Sequence, residues 1–93
     1  GLFITDFTAA TVEDDVTLTW QTVSELEIVV FRVLRKNGLG ANAVISLDTF
    51  ILANWPGMDQ GGVYAYADDD LEPGIYHYSL QAVLLNGRTV EAG

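Results

Sequence analysis

Hydrophobic and polar residues alternate one by one along most of this chain, which is the periodicity of β-strands. Between residues 16 and 21, for example, Val16, Leu18 and Trp20 alternate with threonines and a glutamine. The same alternation predicts seven strands, which cover residues 2–9, 16–21, 31–35, 43–48, 63–68, 76–85 and 88–93. A long loop is expected between residues 49 and 62.

Turn-forming residues separate the predicted strands. Asn86-Gly87 lies between the last two and is a strong hairpin signal, because such turns require positive φ angles. Further turn signals are Asn37-Gly38, Pro56-Gly57, Gly61-Gly62 and Pro73-Gly74. With turns at this spacing and no pattern typical of a helix, the sequence predicts an all-β fold, a seven-stranded antiparallel β-sandwich.

Composition narrows the classes of function. The chain has 93 residues, which suits a single domain spanning 1–93, and its formal net charge is −9. So acidic a chain is not expected to bind nucleic acid, since binding phosphates requires clustered cations. No apolar run approaches the roughly 18 residues of a membrane helix, so we expect no membrane insertion. Because the last predicted strand stops abruptly, we expect a piece of a longer protein.

Alternation places six residues on the inward faces of the strands: Trp20, Phe31, Val33, Tyr76, Tyr78 and Leu80. The motifs that surround them are Val16-x-Leu18-x-Trp20, Phe31-x-Val33-x-Arg35, Tyr64-x-Tyr66-x-Asp68 and Leu71-x-Pro73-Gly74-x-Tyr76-x-Tyr78. In this order and spacing they resemble a fibronectin type III-like domain, an immunoglobulin-like sandwich found in bacterial surface and secreted proteins. The last motif resembles the tyrosine corner of such folds.

The resemblance implies a structural or interaction module rather than an enzyme, located outside the cell or at the cell surface. It implies no cofactor, and its partners would be proteins: copies of itself or neighbouring domains. The residues agree, since the single histidine, His77, faces away from the core and has no recognisable nucleophile motif beside it.

Two further groups of residues are candidate ligand sites. Asp68, Asp70 and Glu72 resemble a calcium loop, but they fail the EF-hand spacing and are typical of a solvated turn, so no metal site is assigned. Trp55 lies in the long loop and, with Tyr64 or Tyr66, could stack on a sugar ring. That arrangement predicts a carbohydrate-binding accessory domain as the alternative function; otherwise Trp55 closes the open end of the sandwich.

An aliphatic stripe provides the leading hypothesis for function. If Phe31 and Val33 face inward, alternation turns Ile28, Val30 and Leu34 outward, where they would bury against a partner. The other interpretation is that residues 49–62 fold over the stripe. The short last strand also leaves part of a sheet edge unpaired, and such an edge can accept a strand from another chain.

Overall fold

A computed structural model describes residues 4–92, and in this range the chain forms seven β-strands and one short 3-10 helix. The strands are β1 (Ile4–Val12), β2 (Asp15–Thr22), β3 (Ile28–Asn37), β4 (Val44–Leu52), β5 (Val63–Asp68), β6 (Tyr76–Leu84) and β7 (Thr89–Ala92), and the 3-10 helix is Gly40–Asn42. The predicted all-β class and number of strands are therefore confirmed. The parts of the first and last predicted strands at residues 2, 3 and 93 lie outside the described residues.

The strands form two antiparallel sheets. One contains three strands in the order β1-β2-β5, and the other contains four in the order β4-β3-β6-β7. The chain crosses between the sheets after β2, after β4 and again after β5. This arrangement is compatible with the predicted β-sandwich.

Aromatic rings from both sheets meet in the core. Trp20 of β2 stacks on Tyr64 of β5 with ring centroids 5.3 Å apart, and it meets the edge of Phe31 of β3 at 5.8 Å. Trp20, Phe31, Val33 and Leu80 are almost completely buried, and Tyr78 packs against them. Burial of each large side chain contributes roughly 1.5–3 kcal/mol, so these rings hold the sheets together.

Tyr76 does not lie in this core, which corrects the prediction from alternation. Its ring is half-buried at the edge of the four-stranded sheet, and its hydroxyl donates a hydrogen bond to the Glu72 carbonyl. Tyr76 is the first residue of β6 and lines an open cavity between the sheets, so its ring stays partly accessible.

A β-bulge near the start of β3 changes which side chains face inward. Ile28 lies opposite Leu84, whereas Val30 lies opposite Val83, so β3 has one extra residue there. The extra residue reverses the alternation, and both Ile28 and Phe31 point into the core with no exposed surface. The prediction that Ile28 faces outward is therefore wrong.

Leu34 is also less accessible than the alternation predicts. It is only 9% exposed, although it belongs to neither the bulge nor the main core cluster. β3 is a central strand, and Leu34 is flanked by Asp48 of β4 on one side and Ser79 of β6 on the other. Side chains of the neighbouring strands thus enclose it, and the prediction that it offers open apolar surface is wrong.

Candidate interaction surface

The end of β4 places two large apolar side chains in solvent. β4 is the edge strand of its sheet, and Phe50 and Leu52 are 65% and 77% exposed. Leu52 lies opposite Val30 of β3, which in turn lies opposite Val83 of β6, so the three form a row across the sheet. We call Val30, Phe50, Leu52 and Val83 the outer apolar patch.

Arg32 borders this patch, and its charge is compensated. Its Nη2 and Nε atoms donate hydrogen bonds to Asp48 at 2.5 and 3.2 Å, and Nη1 donates to Gln81 at 3.3 Å. The guanidinium also lies over the ring of Phe50, 5.3 Å from its centroid, in a cation–π contact. A partner that covers the patch therefore meets a neutralised ion pair rather than a free charge.

Of the three residues predicted for an interface, only Val30 belongs to the outer apolar patch. Phe50 and Leu52 were missed, because the predicted strand ended at residue 48. Phe50, Ile51 and Leu52 are all apolar, so the contrast that marks alternation disappears there. In the structure Leu47, Thr49 and Ile51 are half-buried on the inner face of β4, and Phe50 and Leu52 therefore fall on its outer face.

A buried carboxylate, that of Glu25, anchors the loop that follows β4. The Glu25 side chain has no exposed surface, and its Oε1 accepts a hydrogen bond from the backbone N–H of Trp55 at 2.8 Å. Its Oε2 accepts from the Tyr64 hydroxyl at 2.5 Å and from the Thr22 hydroxyl at 2.6 Å. All three bonds are donated to the carboxylate.

The two hydroxyls extend this network to both ends of the loop. The Tyr64 hydroxyl accepts from the Asn54 N–H at 2.9 Å, and the Thr22 hydroxyl accepts from the Gly62 N–H at 2.8 Å. Gly62 is required at its position, since an added Cβ would lie 2.7 Å from Glu25 Oε2. Burial raises the pKa of Tyr64 well above its usual value, and the charge of Glu25 raises it further.

The aromatic residues predicted to form a sugar-stacking platform do not share a surface. Tyr64 is buried against Trp20, and Tyr66 is half-buried and packs against the core. Trp55, in the loop held by Glu25, is 38% exposed. The prediction of an exposed platform that includes Tyr64 is therefore wrong, and Trp55 is left as a single accessible ring.

A second polar network connects the two sheets near the other end. The guanidinium of Arg35 donates from Nη1 to both carboxylate oxygens of Asp68, at 2.9 and 2.7 Å. The Tyr78 hydroxyl donates to Asp68 Oδ2 at 2.7 Å. Burial raises the pKa of Tyr78 above its usual value, and its hydrogen bond to Asp68 adds to the effect.

Asp68, a candidate calcium ligand in the sequence, is thus the ion-pair partner of Arg35 across the sheets. Among residues 4–92, no three His, Cys, Asp or Glu side chains are grouped as a metal site would require. His77 is exposed on β6, as the alternation places it.

An open cavity of about 480 Å³ lies between the sheets beside β1 and β6. One wall comes from the β1–β2 hairpin and the other from β6 and the segment before it. Its lining includes Ala9, Thr11, Val16, Leu71, Tyr76 and Tyr78, with Glu13, Asp14 and Glu72 among the remaining residues.

Comparisons of the chain with protein-family models, with curated protein sequences and with solved structures find no match. In the part of the chain that the structure describes, no helix is both long and apolar enough to cross a membrane. A proposal for function therefore rests on the surfaces of the molecule itself.

Proposed function

We propose that this chain is a non-catalytic, fibronectin type III-like interaction module of an extracellular or cell-surface protein. The division of the strands into β1-β2-β5 and β4-β3-β6-β7 supports this, together with Trp20 at the centre of the core. The hydrogen bond from the Tyr76 hydroxyl to the Glu72 carbonyl also supports it, since a tyrosine corner makes such a bond to backbone a few residues upstream.

The module acts by burying its outer apolar patch against a second copy or a neighbouring domain. The single observation that carries this function is the exposure of Phe50 and Leu52 on the outer face of the four-stranded sheet. Contact between two copies brings together two chains of net charge −9. Salt should therefore strengthen self-association, because the screening length falls from about 30 Å at 0.01 M to about 10 Å at 0.1 M.

Sedimentation velocity of Leu52→Asp, with Val63→Asp as a matched control, tests this function. Val63 is 73% exposed, close to the value for Leu52, but it lies on the three-stranded sheet. We expect the unmodified chain to self-associate more at higher concentration and salt. Leu52→Asp should weaken the association about tenfold or more, since it replaces roughly 1.5–3 kcal/mol of apolar burial with a charge. Val63→Asp should leave it unchanged.

Two outcomes contradict the proposal. If both variants weaken association equally, the added charge rather than the outer apolar patch is responsible. If the unmodified chain stays a monomer of 10.1 kDa at all concentrations, self-association through the patch is contradicted.

A carbohydrate-binding role is the alternative, and it depends on Trp55. The network of Glu25 fixes the loop that carries this ring, and a fixed aromatic ring suits stacking on a sugar. With Tyr64 buried, however, the support is one ring, and the outer apolar patch is the stronger basis for a function.

A further inference from the structure

β4 has a neighbouring strand on one side only. In the part of the chain that the structure describes, it is an edge strand of the four-stranded sheet and pairs with β3 alone. The register shifts at Ser46, which lies opposite no residue of β3. From Leu47 to Leu52 the pairing is regular, and we call this segment the β4 edge.

The backbone groups of the β4 edge that point away from β3 follow from one hydrogen bond. In an antiparallel pair each residue directs its N–H and C=O to the same side, and the side alternates along the strand. The Ala53 N–H donates to the Val29 carbonyl at 3.0 Å, so Ala53 faces β3. Alternate residues of the β4 edge therefore also face β3, namely Leu47, Thr49 and Ile51. The others direct their N–H and C=O groups away from it, namely Asp48, Phe50 and Leu52.

The β4 edge lacks the features with which proteins usually block a free strand edge, such as prolines, lysines or bulges. Asp48 is its only charged residue, and Arg32 compensates that charge. β1, an edge strand of the other sheet, is different, because its register shifts between Thr5 and Thr8, where Asp6 has a φ of 57°. The β4 edge is therefore a regular strand edge that is open to pairing.

We propose that the β4 edge pairs with the β4 edge of a second copy, in antiparallel orientation, so that two sheets join into one. This inference rests on the proposed self-association and specifies how the two copies meet. With Phe50 opposite Phe50 of the second copy, Asp48 lies opposite Leu52 of that copy. Each of these residues then exchanges hydrogen bonds through both its N–H and its C=O group.

This register satisfies more backbone groups than the neighbouring registers do. A shift by two residues in one direction places Leu52 opposite Ser46, where the pairing of β4 is irregular. A shift by two in the other direction places Asp48 opposite Asn54, whose N–H already donates to the Tyr64 hydroxyl at 2.9 Å. In either case only Phe50 and one further residue keep both of their hydrogen bonds. The register centred on Phe50 is therefore favoured.

The same pairing joins the two outer apolar patches. A two-fold axis perpendicular to the sheet relates antiparallel strands and turns the same face of each copy to the same side. Phe50 and Leu52 lie on that face in both copies. The two Phe50 rings then face each other across the axis, and cross-strand aromatic pairs are favourable.

Charge favours a second copy as the partner. Of the 4 basic residues of the chain, all but Arg88 lie on β3, next to the β4 edge. β3 and β4 contain a single carboxylate, that of Asp48. This side of the molecule is therefore not acidic, although the whole chain has a net charge of −9. Two such chains meet here with less repulsion than their net charge implies, and a strongly basic partner is disfavoured.

Sedimentation velocity of Asp48→Pro, with Asp48→Ala as the matched control, tests the pairing. Proline lacks the N–H that points away from β3, so it fits the edge of a single chain but cannot complete the ladder with a second copy. Both variants lose the carboxylate that binds Arg32, and neither changes the outer apolar patch. We expect Asp48→Pro to weaken self-association about tenfold or more relative to Asp48→Ala. Equal association of the two variants would overturn the pairing.

The proposed function and the strand pairing fail separately. Leu52→Asp removes apolar surface but keeps the backbone groups of the β4 edge. If Leu52→Asp weakens association while Asp48→Pro and Asp48→Ala behave alike, the outer apolar patch is supported and the strand pairing is contradicted. If Asp48→Pro weakens association and Leu52→Asp does not, the pairing is supported and burial of the patch is contradicted. A chain that stays a monomer at all concentrations contradicts both.

Hydrogen exchange of the unmodified protein tests the pairing even if Asp48→Pro unfolds the chain, which circular dichroism would reveal. The amides of Phe50 and Leu52 should exchange more slowly as the concentration rises and the copies associate. The amides of Thr49 and Ile51 point toward β3 and are the internal control, since they should be protected at every concentration. Association that leaves exchange at Phe50 and Leu52 unchanged would overturn the pairing.

Discussion

At the scale of single residues, the Glu25 side chain holds together the loop between β4 and β5. It is fully buried, and each of its hydrogen bonds comes from an N–H or O–H donor rather than from a cation. Through the hydroxyls of Thr22 and Tyr64 it fixes both ends of the loop that carries Trp55. The position of Trp55 is therefore determined by a residue thirty positions earlier in the chain.

We expect Glu25→Gln to destabilise the fold by about 1–3 kcal/mol, because an amide presents N–H groups where only acceptors fit. Its nitrogen must face either the Trp55 N–H or the two hydroxyls, and in each case a buried donor loses its acceptor. Urea unfolding measures the loss, and Trp55 fluorescence should shift as the loop loosens. Asp59→Asn, which makes the same chemical change at an exposed residue of the loop, is the control. Equal midpoints for the two variants would contradict the prediction.

At the scale of elements, turns and bulges decide how the strands present their faces. The bulge at Ile28–Val30 exchanges the inward and outward positions at one end of β3. The β1–β2 hairpin turns through only two residues, Glu13 and Asp14. Glu13 adopts a φ of 54°, a left-handed conformation that is strained for a residue with a Cβ atom. Two-residue hairpins require this conformation, so the strain follows from the short connection.

Glu13→Gly should stabilise the fold by about 0.5–1 kcal/mol, the relief of strain less the larger unfolded-state entropy of glycine. For a domain of this size, the change corresponds to a rise in Tm of roughly 2–8 °C. Thermal unfolding followed by circular dichroism measures it. Glu13→Ala removes the same charge but keeps the Cβ atom, so it should not show the gain. If Glu13→Ala raises the Tm by a similar amount, the loss of charge rather than the relief of strain is responsible.

At the scale of the whole molecule, two polar networks flank the aromatic core, and the one around Asp68 joins the two sheets. Tyr64 bonds to Glu25 in one network, and Tyr78 bonds to Asp68 and its partner Arg35 in the other. Both tyrosines keep their protons in the folded state to a higher pH than in the unfolded chain, because burial raises their pKa values above 10.0. Alkaline pH should therefore lower the stability that both networks contribute.

The sign of the pH dependence follows from proton binding. Above pH 10 the unfolded chain releases the protons of Tyr64 and Tyr78 while the folded protein retains them, so the free energy of unfolding falls as pH rises. Below pH 10 this contribution to stability is fully present. The slope should approach about 1.4 kcal/mol per pH unit for each tyrosine. Urea unfolding between pH 9 and 11 should show a shallower slope for Tyr78→Phe, and an unchanged slope would contradict the prediction.

The sequence by itself determined the class of fold and most of the core. A period of two is a local property of the backbone, so the alternation predicted the strands, and Trp20, Phe31, Val33 and Leu80 lie buried where it placed them. The turn residues predicted where most strands end, because glycine, proline and asparagine set local φ angles. These predictions succeed for features that depend only on residues close together in the chain.

Only the tertiary structure decided which surfaces are available. A bulge turned Ile28 inward, neighbouring strands enclosed Leu34, and Tyr64 was drawn into the core by Trp20. The exposure of Phe50 and Leu52 arises in the same way, because β4 is the edge strand of its sheet. Each of these outcomes depends on residues distant in the chain, and the pattern within one strand does not encode them.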